Sequence, residues 1–183
     1  AVVKIDGVLD LVKMNTTLAV LSAKDNTQIT LTAPGTLANG DYIYLSGNNV
    51  TSNSYGDSDG TSVVLKEVVR CISVPGGGPA LINIESPLVQ YHAAGIAAQA
   101  VTPTIDAAVE DLDINCAGGT IAVGILIRRS LGTRIKGISG AGFSRAMLNF
   151  EGPKHYYYEK IYCRGEANCV IYQDSAMEGS GSD

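Results

Sequence analysis

The sequence is poor in aromatic residues, histidine and positive charge. Its 183 residues include no Trp, two Phe and two His, and only 17 % are Asp, Glu, Lys or Arg. The formal net charge is −5, so no basic surface indicates a nucleic-acid partner or an anionic membrane. Hydrophobic residues still make up 45 % of the chain, which is enough to fill a core and excludes a disordered tail.

Cysteine and long apolar runs are also scarce. The four cysteines have no zinc-site spacing and no CxxC pair, and each lies in or beside an apolar run. We therefore expect free buried thiols and assembly in a reducing environment. No stretch is long and apolar enough to cross a bilayer and no signal peptide is visible, so we predict no membrane insertion.

The glycine-rich and acidic segments match no cofactor or metal motif. PGGGP and GISGAG lack the Lys-Ser/Thr of a nucleotide-binding loop, and the Asp57–Gly60 segment is too short for an EF-hand loop. His92 and His155 lie in neither a HExxH motif nor a Ser/His/Asp context. We predict no metal and no cofactor.

Short strand patterns divided by turn residues fill the first half of the chain. In TQITLTA, Ile29 and Leu31 alternate with threonines, as a half-buried strand requires. Residues 51–62 are predicted to form a polar loop, and PGGGP a turn between two further strands. Residues 93–100, AAGIAAQA, are expected to form a helical or irregular connector.

The second half repeats one short unit three times. DLDIN begins at Asp111, GISGA at Gly137 and KIYCR at Lys160. Repeats of this spacing are typical of a solenoid, whose units bury their apolar rows against one another. The alignment places four sets of residues over one another: Leu112–Ile138–Ile161, Ile114–Gly140–Cys163, Leu126–Leu148–Ile171 and Gly124–Ala146–Cys169.

Strand alternation puts a second group of residues on the outer face of these units. Leu112 and Ile114 alternate with polar residues, so we expect the apolar side chains to face inward. The outer columns are Asp111–Gly137–Lys160, Asp113–Ser139–Tyr162 and Asn115–Ala141–Arg164. Small residues flanked by charged and aromatic ones predict a shallow polar trough for a sugar chain. The alternative is that these are ordinary solvated residues of a solenoid.

Two aspartates of this face form the candidate catalytic pair. Glycoside hydrolysis needs two carboxyl groups about 5–9.5 Å apart. Asp111 and Asp113 lie two residues apart on one strand pattern, so their Cα atoms should be about 6–7 Å apart. The spacing can accommodate such a pair, although a DxD pattern on an outer strand face is common.

Four further residues are candidate substrate-binding groups. Lys160, Tyr162 and Arg164 are eligible for sugar binding, or for lyase chemistry, by residue type and by face. The three tyrosines of the HYYYE run cannot all point inward, so at least one should be exposed. We take Tyr157 as a binding candidate that stacks either on a sugar or on a neighbouring subunit.

One part of the sequence resembles a known family. In the single-stranded right-handed parallel β-helix, or pectate-lyase-like, family, a GD-apolar strand precedes an SPL-type turn, and a V.P…V..L.I segment opens the regular coils. The matching residues here are Gly40–Asp41, Ser86–Pro87–Leu88, Val101, Pro103, Val109, Leu112 and Ile114. The resemblance covers roughly residues 40–174. It implies an all-β fold, with a β-rich N-terminal region and first irregular coils in 1–100 and regular β-helix coils in 101–183.

Within this family the sequence is most similar to phage tailspikes. That resemblance implies a homotrimer in the virion tail that contacts other tail proteins and attaches to a bacterial surface polysaccharide, and whose full-length form can also depolymerise it. The chain begins with Ala1 and stops just after a strand pattern, so we expect a piece of a longer protein, truncated at its C-terminus. Because this fold hosts many activities, the sequence leaves catalysis open. Two alternatives remain: a secreted polysaccharide lyase or glycoside hydrolase, and a purely structural virion component.

Overall fold

Extended strands are the regular elements of this chain. The computed structural model describes residues 1–49, 63–74, 79–89, 91–116, 121–164, 169–173 and 178–182. Within these ranges there is no helix, which confirms the all-β class. The predicted loop at 51–62 and all but the last residue of PGGGP lie outside the described residues.

The strands are mostly short, as expected for β-branched runs divided by turn residues. In chain order they are Val3–Asp6 (β1), Val8–Leu9 (β2), Asn15–Thr17 (β3), Gln28–Leu31 (β4), Tyr42–Asn49 (β5), Val63–Ser73 (β6), Ala80–Ile84 (β7), Ala97–Thr102 (β8), Thr104–Ile105 (β9), Ala108–Glu110 (β10), Asp113–Asn115 (β11), Ile121–Arg128 (β12), Ser130–Leu131 (β13), Arg134–Ala141 (β14), Phe143–Glu151 (β15), Lys154–Arg164 (β16), Cys169–Gln173 (β17) and Glu178–Ser182 (β18).

The chain divides into two compact units. Unit 1 comprises Ala1–Gly7 and Pro103–Asp183, and unit 2 comprises Val8–Thr102. The N-terminal segment up to Gly7 therefore belongs to the unit that the second half of the chain forms. The expected domains, 1–100 and 101–183, stay a prediction.

Unit 2 is built on an antiparallel sheet. Its strand order is β2-β8-β5-β6-β7-β4, with β3 also paired to β8. The alternation predicted for β4 is confirmed, because Ile29 and Leu31 are buried in the core opposite Ile82 and Ala80 of β7. The threonine between them lies on the other face and is only partly buried.

The expectation of a connector at residues 93–100 is wrong in its second half. Residues from Ala97 onward form β8, which pairs with β5 on one side and with β2 and β3 on the other. Ala98 and Ala100 are buried, while Gln99 between them is partly exposed. The run is rich in alanine, which favours helix, but small inward side chains fit a strand that lies between others.

A buried polar pair connects the segment before β8 to strand β6. Glu67 of β6 and His92 are both buried, and the Nε2 and Oε2 atoms lie 3.0 Å apart. The other carboxylate oxygen of Glu67 accepts a hydrogen bond from the Val89 N–H at 3.0 Å. His92 also forms a backbone bridge with Ser22. Burial of the Glu67 carboxylate and of the His92 Nε2 is compatible with stability because these atoms are hydrogen-bonded, whereas the buried Nδ1 of His92 has no hydrogen-bond partner among the described residues.

The cysteines whose side chains are described are free thiols. Cys71 and Cys116 are buried, and Cys163 is partly buried. Burial raises the pKa of the Cys71 thiol to about 12, with a smaller contribution from the negative charge of Asp41. This thiol is therefore unreactive at neutral pH.

Successive coils of unit 1 pair in parallel. One sheet has the order β1-β12-β15-β17; the other combines β10, β11, β14, β16 and β18 with the short strands β9 and β13. The backbone register confirms one predicted set and part of a second. Gly140 lies between Ile114 and Cys163, and Ile138 lies opposite Ile161. Their apolar side chains belong to one core cluster.

One predicted register is wrong by a single residue. Ile125, not Leu126, lies opposite Leu148, and Val123, not Gly124, lies opposite Ala146. The pairing starts with the predicted offset at Ile121 and Phe143, but an extra residue in β15 then shifts it by one. The predicted pairing of the next two coils is confirmed, because Leu148 lies opposite Ile171 and Ala146 lies opposite Cys169.

Left-handed residues divide the long outer strands at equivalent positions in each coil. Asp111, Gly137 and Lys160 have φ values of 50°, 63° and 55°. Each such residue interrupts strict alternation, so Ile135 and Ile138, three positions apart, both face the core. A second set of left-handed residues occurs at Asp106, Gly132 and His155.

The N-terminal strand is fastened by a charged cluster. β1 pairs in parallel with β12, and Asp6 accepts hydrogen bonds from Arg128 at 2.5 Å and from Arg129 at 2.6 and 2.8 Å. Lys4 lies 2.9 Å from the same carboxylate. Burial would raise the pKa of Asp6, but these hydrogen bonds outweigh it and lower the pKa to about 2.

The Asp6 cluster predicts acid-sensitive stability of unit 1. Because the pKa of Asp6 is lowered on folding, its contribution is complete above the ordinary value of 3.8 and is lost as the pH falls to about 2. We expect Asp6→Asn to lower the melting temperature at pH 6 and to flatten the decline of stability between about pH 4 and pH 2. Thermal unfolding at a series of pH values measures this. An unchanged pH dependence would show that Asp6 is not the titrating group.

Gly142 lies at a corner where a side chain has no room. Its φ is +82°, and a Cβ atom there would overlap the Cys116 carbonyl oxygen of the preceding coil. We expect Gly142→Ala to destabilise the protein by more than about 2 kcal/mol, measured by chemical denaturation. The control is Gly95→Ala, which has a similar φ of +84° but nothing within 4 Å and should cost only about 1 kcal/mol. Equal losses would contradict the close approach of the coils.

Candidate functional site

The candidate site is the outer face of the sheet that β10, β11, β14 and β16 form. We define this outer face as the outward side chains of residues 108–115, 134–141 and 157–164. Parallel pairing places equivalent residues of three coils side by side. The columns are Ala108–Arg134–Tyr157, Glu110–Lys136–Glu159, Asp113–Ser139–Tyr162 and Asn115–Ala141–Arg164. The last two are columns predicted from the sequence.

Asp113 joins three coils. Its Oδ1 accepts a hydrogen bond from the Ser139 hydroxyl at 2.8 Å, and Nη2 of Arg164 lies 2.7 and 2.8 Å from its two carboxylate oxygens. The hydrogen bonds from Ser139 and Arg164 lower the pKa of Asp113. Its side chain is 55 % exposed and that of Arg164 is 60 % exposed, so the ion pair faces solvent and can be reached by a ligand.

Glu159 is the centre of a second polar group. The Tyr157 hydroxyl donates a hydrogen bond to its Oε2 at 2.6 Å, and the Nζ atoms of Lys160 and Lys136 lie 3.6 and 3.9 Å from its Oε1. The hydrogen bond from Tyr157, with the lysine charges, lowers the pKa of Glu159. Tyr157 and Lys160, both predicted as binding residues, therefore share one carboxylate.

The tyrosines of β16 differ in exposure. Tyr162 is 59 % exposed and is one of the large hydrophobic side chains that face solvent. Tyr156 is buried against Phe150, with ring centroids 4.7 Å apart, and Tyr158 stacks with Tyr156 in the same cluster. Tyr157 lies between them on the outer face and is partly buried. Tyr162 therefore offers the most accessible ring for stacking.

The two candidate catalytic aspartates have different surroundings. Asp111 is exposed at a left-handed corner, and its Oδ1 occupies the space that a side chain at Gly137 would need. Asp113 is held ionised by Ser139 and Arg164. An ionised carboxylate can act as a base or nucleophile but not as a general acid, which limits the roles open to Asp113 in such a pair.

The structure adds charged residues that the sequence argument did not single out. Glu110 and Arg134 form an ion pair at 2.7 Å, and Lys136 and Glu159 extend the charged network to the next coils. These residues occupy the first two of the four columns, just before the column of Asp113 in each coil. Extending the alignment of the three repeats by a few residues toward the N-terminus would have found them.

The described residues hold no group of three or more His, Cys, Asp or Glu side chains that could bind a metal ion. No helix in the described part of the chain is long and apolar enough to cross a membrane.

Comparisons with known proteins give matches in structure alone. No protein-family model and no curated protein sequence matches the chain. Two similar solved structures are the tailspike gp49 of Pseudomonas phage LKA1 (TM-score 0.56, 13 % identity) and the tailspike gp61 of Pseudomonas phage phi297 (TM-score 0.59, 12 % identity). Both alignments cover 97 % of this chain. The chain has a tailspike-like fold.

A third similar tailspike is Gp54 of Acinetobacter baumannii bacteriophage AP22, solved in complex with a capsular saccharide of A. baumannii (TM-score 0.52, 10 % identity, 96 % of this chain). The chain spans about a third of the length of these tailspikes, with 32 %, 34 % and 35 % of them covered. At these identities the likeness concerns the fold, while the side chains of the outer face are this protein's own.

The strand register of unit 1 predicts different effects of substitution at an outward and an inward position. Asp113→Asn should leave the circular dichroism spectrum and the melting temperature nearly unchanged, because the side chain faces solvent. Ile138→Ala is the matched control: Ile138 is fully buried in the next coil, so the change should cost about 2–5 kcal/mol. Loss of the folded state in Asp113→Asn would show that the register is wrong.

Proposed function

We propose that this chain is part of a viral tailspike-type protein that attaches to a host cell-surface polysaccharide through its outer face. One observation carries the proposal: the ring of Tyr162 is exposed on a face where three coils bring ionised hydrogen-bonding groups side by side. Sugars present hydroxyl groups on ring edges and C–H groups on ring faces. A flat polar face with an exposed aromatic ring suits both.

The residues of the outer face divide these tasks. Tyr162 supplies the stacking surface, while Arg164 and Lys160 donate hydrogen bonds to sugar hydroxyls. Tyr157 shares Glu159 with Lys160 at 2.6 and 3.6 Å and so orders the neighbouring polar group. Charge-assisted hydrogen bonds of this kind are about twice as strong as neutral ones.

The similar structures support this assignment. Each is a phage tailspike, and Gp54 of bacteriophage AP22 was solved with a bacterial capsular saccharide. By analogy we propose that the parallel coils of unit 1 wind as a right-handed β-helix. We also propose that the protein assembles as a homotrimer with other tail proteins in the virion and acts outside the cell.

Catalysis is a separate proposal. If the protein cleaves its polysaccharide, Asp111 and Asp113 are the carboxyl groups we assign to the reaction. Such cleavage would fit either a depolymerising tailspike or a secreted lyase or hydrolase of this fold. A purely structural virion component would neither bind nor cleave a glycan.

Glycan binding tests the proposed attachment. We would immobilise a panel of bacterial capsular polysaccharides and lipopolysaccharides and measure binding of the chain by biolayer interferometry. Tyr162→Ala should weaken binding about tenfold, or about 1.4 kcal/mol. Ile105→Ala is the matched control, because Ile105 is exposed to a similar degree, 55 %, on strand β9 outside the outer face. Equal binding by both variants would contradict the assignment.

Oligosaccharide release tests catalysis independently. This chain, and separately the full-length tailspike-type protein of which we propose it is a part, are incubated with each polysaccharide that binds. The oligosaccharide products are then separated by size. If release occurs, Asp111→Asn should reduce it about 100-fold or more, since it removes one of the two carboxyl groups while asparagine still tolerates a left-handed φ. Release that persists in Asp111→Asn would remove this pair from the reaction. Binding without release would leave attachment as the function.

A further inference from the structure

We infer that the outer face takes an uncharged glycan rather than a polyanionic one. This inference rests on the proposed function and deepens it by naming the class of sugar. It starts from the charges of residues 108–115, 134–141 and 157–164. Four are cationic and four are acidic: Arg134, Lys136, Lys160 and Arg164 against Glu110, Asp111, Asp113 and Glu159.

Every cation of the outer face already lies against a carboxylate. Arg134 is 2.7 Å from Glu110, and Arg164 is 2.7 Å from Asp113.

The two lysines share the third carboxylate, with Lys160 at 3.6 Å and Lys136 at 3.9 Å from Glu159. An anionic sugar would have to displace one of these carboxylates or lie beside it, and both arrangements bring like charges together.

The remaining carboxylate makes a polyanion still less favourable. Among the described residues Asp111 has no cation within ion-pair distance, and it is exposed on the first of the three coils. An uncharged sugar meets no such repulsion. Its hydroxyls can donate to Asp113 and Glu159 and accept from Arg164 and Lys160 without breaking the ion pairs, since each charged group has further lone pairs or N–H groups.

Salt dependence distinguishes the two classes of ligand. Attraction between a charged face and a polyanion is screened by salt, whereas stacking and hydrogen bonding to a neutral sugar are not. For neutral glycans we expect the dissociation constant to change less than about twofold between about 0.05 and about 0.5 M NaCl. Uronate- or sulfate-bearing glycans should bind more weakly at every salt concentration.

The first experiment compares matched ligands. Neutral hexose and N-acetylhexosamine oligosaccharides and uronic-acid oligosaccharides of equal length are titrated into the full chain by calorimetry, with Tyr162→Ala defining binding at the outer face. Neutral binding with little salt dependence supports the inference. Preferential uronate binding that weakens more than about tenfold with salt would overturn it and leave the proposed attachment standing. Binding of neither series would overturn both.

A second experiment removes two of the four negative charges from the outer face. In the double variant Asp113→Asn, Glu159→Gln, three of the four cations lose their carboxylate partners. We expect this variant to gain salt-sensitive binding to hyaluronan, a uronic-acid polymer, and the unaltered chain to show none. The matched control, Asp25→Asn, Glu85→Gln, makes the same change of net charge in unit 2 and should gain none. Equal gains in both double variants, or hyaluronan binding by the unaltered chain, would contradict the inference.

Discussion

Parallel backbone pairing between successive coils is the interaction on which unit 1 depends. Asp113 lies opposite Ser139 of the next coil, and Ser139 lies opposite Tyr162 of the coil after that. Each coil satisfies the N–H and C=O groups of its neighbours, which a buried strand cannot leave unpaired. The same pairing sets distant residues about 4.8 Å apart on one surface. The ion pair between Asp113 and Arg164, 51 positions apart, exists because of it.

Residues with a left-handed backbone conformation change the direction of the chain, which allows each coil to return and pair with the one before it. Left-handed residues stand at equivalent points of successive coils, and at Gly142 the backbone of one coil approaches the carbonyl of the coil before it. Because a left-handed residue interrupts the two-residue period, core residues three positions apart can share a face. The corners therefore determine which side chains reach the outer face.

Strict periodicity is what the sequence could reveal, and local departures from it are what it could not. The offsets between the three repeats fix the pairing of β11, β14 and β16, so the exposure of Tyr162 and Arg164 was predictable. The extra residue in β15 breaks that regularity and moved Ile125 into the place expected for Leu126. Helix propensity likewise misled at 93–100, where tertiary pairing overrides the preference of alanine. The ion pairs of the outer face depend on side-chain directions across three coils, which spacing alone does not give.

The most direct test of this account is the register between β14 and β16, read from interstrand nuclear Overhauser effects. Side chains alternate along a strand, so a one-residue shift in the pairing of β14 with β16 would turn Tyr162 and Arg164 toward the core. The proposed binding residues would then no longer lie on the outer face. We expect parallel-strand effects that place Ile138 opposite Ile161 and Ser139 opposite Tyr162. Effects that pair Ser139 with Ile161, or that show antiparallel strands, would contradict it.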